Sequence, residues 1–284
     1  MDCQRCREPS APADEFCPRC GLARDPRAAL LATPGALSAS HRNAAWLDAH
    51  PEHRQSAADE PGPDLSAFRD PEWPGRWAEI GLVLLAIASL CEIAFDLWHL
   101  SILGRDLGDP ANAQAYLDST DRLDAMAIAI GIASLVCAIT FVVWTRRAYR
   151  NLPAIGAVQR FKPGWAVGAW FVPVLNLWRP KQVINDIWRT GDPDAPRVLA
   201  ASRYEHLRVP RAITAWWLLF ILGNLADRLL WNASVDTVAH ERASTQRDLT
   251  SSAIDIVTLA LAFAVVRLLT RRQQARARAL AGPL

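Results

Sequence analysis

Four long apolar runs constrain this chain more than any other feature: Trp77–Trp98, Asp124–Trp144, Ala212–Trp231 and Ala253–Leu269. A helix rises about 1.5 Å per residue, so roughly 20 apolar residues cover a bilayer core of about 30 Å. Each run meets that length. A buried helix of a soluble protein keeps a polar face at a 3.6-residue period, and stretches such as GLVLLAIASL and IDIVTLALAFAVV do not show one. Trp77, Trp98, Trp144, Trp216, Trp217 and Trp231 stand at or near the ends of the runs, where an amphipathic indole favours the membrane interface. The expectation is an all-α integral membrane protein with four transmembrane helices.

The basic residues orient those helices. The connection from Thr145 to Arg211 carries ten Arg and two Lys, and the tail adds Arg271, Arg272, Arg276 and Arg278. The connections His99–Leu123 and Asn232–Ser252 carry two Arg each. Lys and Arg in short loops mark the cytoplasmic side. The expected protein is thus a multi-pass protein of a bacterial inner (plasma) membrane, with N- and C-termini cytoplasmic and 99–123 and 232–252 as outer loops. No apolar run precedes residue 77, so the first span reads as an uncleaved anchor. A net charge of +2, with 29 of 31 basic residues Arg, argues against nucleic acid as a partner. The lipid bilayer is the expected one.

The run Trp165–Trp178 is as hydrophobic as a span but has only 14 residues, about 21 Å as a helix. Gly164, Gly168, Pro173 and Asn176 interrupt it. It reads as a re-entrant or in-plane segment, with Trp165, Trp170, Trp178 and the later Trp188 as interfacial residues, because freed backbone groups must be covered by protein or water. Val183, Ile184, Ile187 and Trp188 then repeat at helical spacing among charged residues. That pattern suits a helix lying on a leaflet or one packed on the inner end of the bundle.

Ahead of the membrane domain, Cys3, Cys6, Cys17 and Cys20 form C-x2-C-x10-C-x2-C. Two such knuckles supply the tetrahedral thiolate set that zinc prefers, and a reducing cytoplasm disfavours the alternative of two disulfides. A closed four-Cys site is structural, so residues 1–22 read as a zinc ribbon folded by structural Zn. Arg5, Arg7, Arg19 and Arg24 are offset by Asp2, Glu8, Asp14 and Glu15, which favours a cytoplasmic protein as its partner. Residues 23–72 read as a disordered linker: 10 of the 19 prolines fall in the first 75 residues. The membrane domain spans 73–275, and 276–284 form a basic tail.

Polar residues also occur within the spans. Glu92, Asp96 and His99 share one helical stripe in the first, Asn224, Asp227 and Arg228 fall together in the third, and Asp255 begins the fourth. Such placements cost about 2.5–3.5 kcal/mol for a charge at a helix centre. They should face the bundle interior, with Arg228 as partner to Glu92 or Asp96. The group is either interhelical glue or an ion or proton site. Cys91 and Cys137 read as small apolar residues of the bundle.

The stretches Arg146-Arg147-Ala148-Tyr149-Arg150-Asn151-Leu152, Phe161-Lys162-Pro163-Gly164-Trp165-Ala166-Val167-Gly168, Trp170-Phe171-Val172-Pro173 and Asn176-Leu177-Trp178-Arg179-Pro180 resemble the actinobacterial membrane family called domain of unknown function 4328. The resemblance extends over residues 75–275 and implies a multi-span bacterial membrane protein. It brings no activity and no ligand residues. The second and fourth spans both end in Thr-Arg-Arg, at Thr145–Arg147 and Thr270–Arg272, as a duplicated hairpin would. No Walker loop, nucleophile elbow or His-Glu-x-x-His is present. The sequence therefore favours a non-enzymatic scaffold or regulator, with a small transporter or channel using the intramembrane acidic cluster as the alternative.

Overall fold

The computed structural model describes residues 62–195, 199, 204, 207–230 and 237–282, with side chains omitted from 226 to 230. The zinc-ribbon cysteines Cys3, Cys6, Cys17 and Cys20 lie outside the described residues. So does the linker as far as residue 61. Among the described residues the helices are α1 Glu72–Leu103, α2 Pro110–Arg150, the single turn α3 Trp165–Gly168, α4 Arg179–Thr190, α5 Arg211–Leu230 and α6 Val238–Ala281. The only extended pairing among them is an isolated bridge between Ala157 and Leu199. Three helices, α1, α2 and α6, are long and apolar enough to cross a membrane. The described apolar part of α5, Arg211–Leu225, is shorter.

The long helices outrun the apolar runs that seed them. At 41 and 44 residues, α2 and α6 are about 60 and 66 Å long, twice a bilayer core. Most of the two stretches read as outer loops is therefore helix. Asp109 caps α2 through Ala111 N at 2.8 Å with Pro110 following, and Thr237 caps α6 through His240 N; these residues satisfy orphan N–H groups and preset the first turn. The extensions persist because they bury an inward polar face, including Ser119, Thr245 and Ser252. At its other end α6 continues through the basic tail to Ala281, burying Gln273, Arg276 and Leu280.

In the middle of the bundle α1 packs along α2 on one side and α6 on the other, and α6 also contacts α5. Gly81 sets the first of these contacts. A Cβ there would lie 2.7 Å from Thr140 Oγ1 and 3.1 Å from Cys137 Cα, so only glycine allows this approach, as at other small-residue contacts between membrane helices. Cys137 is buried here, while Cys91 is exposed.

The two ends of the bundle are built differently. At the arginine-rich end, Phe141, Trp144, Trp170, Trp216, Trp217 and Phe220 form one aromatic cluster with neighbouring ring centroids 5.3–6.4 Å apart. Such rings contribute beyond their buried area through edge-to-face contacts. The indole of Trp144 donates to Thr270 Oγ1 at 2.9 Å, and that of Trp217 to the Leu177 carbonyl at 3.2 Å. Asn151 exchanges two hydrogen bonds with the Arg69 backbone, at 3.1 and 2.7 Å, and donates to Gln273 Oε1. Residues 62–71, which fall in the linker 23–72 expected from the sequence, are thus held against α2 through Arg69. Asp64 caps a 3-10 turn at Leu65–Ala67, and Asn151 fixes the chain just before α1.

Between α2 and α4 the run 165–178 makes the single turn α3 and a 3-10 turn at Leu175–Leu177. It enters beside Tyr149, whose hydroxyl accepts from Phe161 N at 2.9 Å, and leaves into α4, which packs on α2 and α6. Both of its ends therefore lie at the arginine-rich end.

Candidate functional site

At the opposite end a polar seam runs between α1 and α6. The antiparallel helices bring the α1 stripe Glu92, Asp96 and His99 against Glu241, Thr245, Asp248 and Ser252 of α6, each set spaced three or four residues apart. Ser252 Oγ donates to Glu92 Oε2 at 3.0 Å. His99 is fully buried, with Nδ1 2.9 Å from Ser119 Oγ on α2 and Nε2 3.1 Å from Glu241 Oε1. The other Glu241 oxygen accepts from Tyr116 OH at 2.8 Å. Three helices are thus tied together through one imidazole and one carboxylate.

Hydrogen-bond valence limits the donor and acceptor roles here. Ser119 Oγ donates to the Tyr116 carbonyl at 2.6 Å, so towards His99 it accepts, and Nδ1 carries a hydrogen. An ionised carboxylate also only accepts. The contact between Nε2 and Glu241 therefore holds a proton, either on an imidazolium facing a carboxylate or on a carboxylic acid facing a neutral imidazole.

Asp96 sits one turn deeper, 4% exposed, with no hydrogen-bond partner for Oδ2 among the described residues. Its charged neighbours are Glu92 and Asp248, which have further interactions of their own. A buried carboxylate left without a donor is costly. Among the described residues no three or more His, Cys, Asp or Glu are arranged to hold a metal ion.

The other sequence-marked polar residues fall elsewhere. Asp255 Oδ1 abuts α5 at Gly223, 3.7 Å from where a Cβ would stand. Asn224 donates to the Phe220 carbonyl of its own helix at 2.8 Å and is exposed. The side chains of Asp227 and Arg228 lie outside the described residues, so the expected pairing of Arg228 with Glu92 or Asp96 does too. Tyr116, Ser119, Glu241, Asp248 and Ser252 were not marked from sequence, although 241, 245, 248, 252 and 255 form a visible helical stripe.

The interfacial tryptophans divide into two kinds. Trp170 packs into the aromatic cluster, and Trp188 donates to the Arg208 carbonyl at 3.1 Å with Arg272 stacked 4.0 Å from its ring centroid. Trp165 and Trp178 are exposed, with Phe171, Val174 and Leu177 beside them.

A family model described as Domain of unknown function (DUF4328) matches residues 109–271. The chain belongs to that family. The DUF4328 region begins at the cap of α2 and ends in α6, so it contains Tyr116, Ser119, Glu241 and Ser252, the 165–178 element and the aromatic cluster. It leaves out α1, which carries Glu92, Asp96 and His99. The seam therefore joins the DUF4328 region to the helix that precedes it. No curated protein and no solved structure matches the chain.

Proposed function

We propose that this DUF4328 protein is a non-enzymatic scaffold or regulator of a bacterial inner membrane, crossing four times, with both termini and the arginine-rich end in the cytoplasm. α5, at 20 residues, is about 30 Å long and supplies the fourth crossing. The observation that carries the reading is the Asn151 clamp on Arg69, which fixes the start of α1 on the arginine-rich face. A zinc ribbon at Cys3, Cys6, Cys17 and Cys20 would be tethered to that same face and would meet cytoplasmic proteins there. The excess of Lys and Arg at this end supports the orientation, and the exposed apolar side chains of 165–178 suit the membrane interface.

Affinity capture from the native host, with the full chain and with residues 1–22 deleted, tests the recruitment reading. Partners lost on deletion support it, and a deletion that keeps every partner sinks it. Metal analysis of the purified chain should find zinc, lost on substitution of Cys17 and Cys20 by Ser.

The buried Asp96 and the His99–Glu241 contact favour a second reading, a small transporter or channel. Proton or cation flux in proteoliposomes that falls in Glu92→Gln and Asp96→Asn would support it; flux unchanged in both variants, or no flux, would remove it.

A further inference from the structure

The arginine-rich end gathers a set of cationic groups. Asp186 of α4 is fully buried, and Arg160 and Arg189 place Nη1 3.9 and 3.8 Å from its Oδ1. Arg160 and Arg179 lie over the same Phe161 ring, 5.0 and 4.1 Å from its centroid. Lys181 is on the same helix, and burial followed by the nearby Arg189 holds its ammonium below the ordinary lysine value. Arg179 and Lys181 stand in the first turn of α4, beside the contacts of Arg160 and Arg189 with Asp186, and their two positive charges favour an anion there. Arg179 gives one hydrogen bond, to Gln182 Oε1 at 3.2 Å, while its Nε is buried with no partner among the described residues. The start of α4 beside it has no side-chain cap, so the positive end of the helix points the same way.

The chain leading into this corner is apolar and open. Phe171, Val174 and Leu177 are 75%, 63% and 53% exposed, with Trp178 beside them. Their depth is set by Trp170 against Phe141 and by Trp217 bonded to the Leu177 carbonyl, which puts them level with the last turns of α2 and the first of α5. Exposed apolar side chains of those helices, Val143 of α2 and Leu218 of α5 among them, lie in the same turns. An exposed apolar strip at that depth, ending in a cationic cluster, has the chemistry of a phospholipid turned around: acyl chain beside strip, phosphate beside guanidinium.

We propose that Arg160, Arg179, Lys181 and Arg189, beside the strip Phe171–Trp178, form a headgroup site for an anionic phospholipid of the leaflet at the arginine-rich end. Arg179 and Lys181 reach the phosphate, and Arg160 and Arg189 flank them on Asp186. The site stands whether or not the ribbon recruits a partner.

The test uses the full chain purified in detergent, with thermal stability read against added short-chain phosphatidylglycerol, short-chain phosphatidylcholine or inorganic phosphate. Phosphatidylglycerol should raise the midpoint and the other two should not. R179Q/K181Q should need at least about ten-fold more phosphatidylglycerol for the same shift, on the order of 1.4 kcal/mol. The charge-matched pair R271Q/R278Q, on exposed arginines of the same end, should stay within about two-fold. Equal shifts with phosphatidylcholine, or equal losses in both double variants, would overturn the site; a shift reproduced by inorganic phosphate would make it a free-anion site and overturn the lipid assignment. Native mass spectrometry of the unsubstituted chain with an equal mixture of the two lipids gives an arm that needs no variant: preferential retention of phosphatidylglycerol supports the site, and equal retention contradicts it.

Discussion

The two ends of the bundle bury polar groups by opposite means. At the arginine-rich end side chains mostly bond to backbone: Asn151 to Arg69, Gln273 to the Ala148 carbonyl, Trp217 to Leu177, Trp188 to Arg208 and Tyr204 to Val158. At the seam side chain meets side chain, through His99, Ser119, Tyr116, Glu241, Glu92 and Ser252. Backbone groups do not titrate, so the first arrangement pins irregular chain at any ordinary pH. The second joins regular helices through ionisable and hydroxyl side chains. One end is built as a platform for irregular chain and the other as a junction between three helices.

The comparison breaks first, and hardest, at Trp144. Its indole is fully buried between the aromatic cluster and Thr270, so Trp144→Ala should cost about 3–5 kcal/mol, read as a large drop in the thermal midpoint in detergent. A drop no larger than that of an exposed control such as Ile132→Ala would show that the platform is not packed as described.

Next come Asn151→Ala and Glu241→Gln, one from each end. Asn151→Ala strands the Arg69 backbone and Gln273, at about 1–3 kcal/mol, with the dependence of stability on pH unchanged. Glu241→Gln removes the carboxylate that meets His99 and Tyr116, at a similar cost of about 1–3 kcal/mol. A midpoint for Glu241→Gln equal to the parent's would show that the seam is not tied together as described.

The smallest effect expected is at Tyr204. Burial raises the phenol above its ordinary value, so the folded state holds that proton more tightly than the unfolded chain. Its contribution is complete below the ordinary phenol value of 10.0 and is lost as pH rises from there towards the folded value. Tyr204→Phe should cost about 1 kcal/mol near neutrality and lose less of its midpoint on moving to alkaline pH. A variant with the parent's alkaline sensitivity would remove Tyr204 as its source.

What the sequence revealed follows from the periodicities involved. Apolar length marked the helix cores in α1, α2 and α6, and the density of Arg marked one end. The polar extensions were not visible, because residues 110–123 and 238–252 have the composition of a solvated loop and become helix by burying a narrow polar face against two neighbours. The stripe of Glu92, Asp96 and His99 was legible from spacing alone. Its partners were not, since pairing α1 with α6 requires knowing which helices are adjacent, and a register sum near 340 relates 99 to 241 and 92 to 252 only once that is known. The docking of residues 62–71 was hidden for the same reason: its determinant is Asn151, more than eighty residues away.

The central claim is that the arginine-rich platform faces the cytoplasm and the polar seam faces the other side of a four-crossing bundle. Reporter fusions after residues 110, 180 and 240 test it most directly, with an enzyme active only outside the membrane and one active only inside. The account predicts outside, inside and outside in that order. An outside signal at 180, or an inside signal at 240, would contradict it.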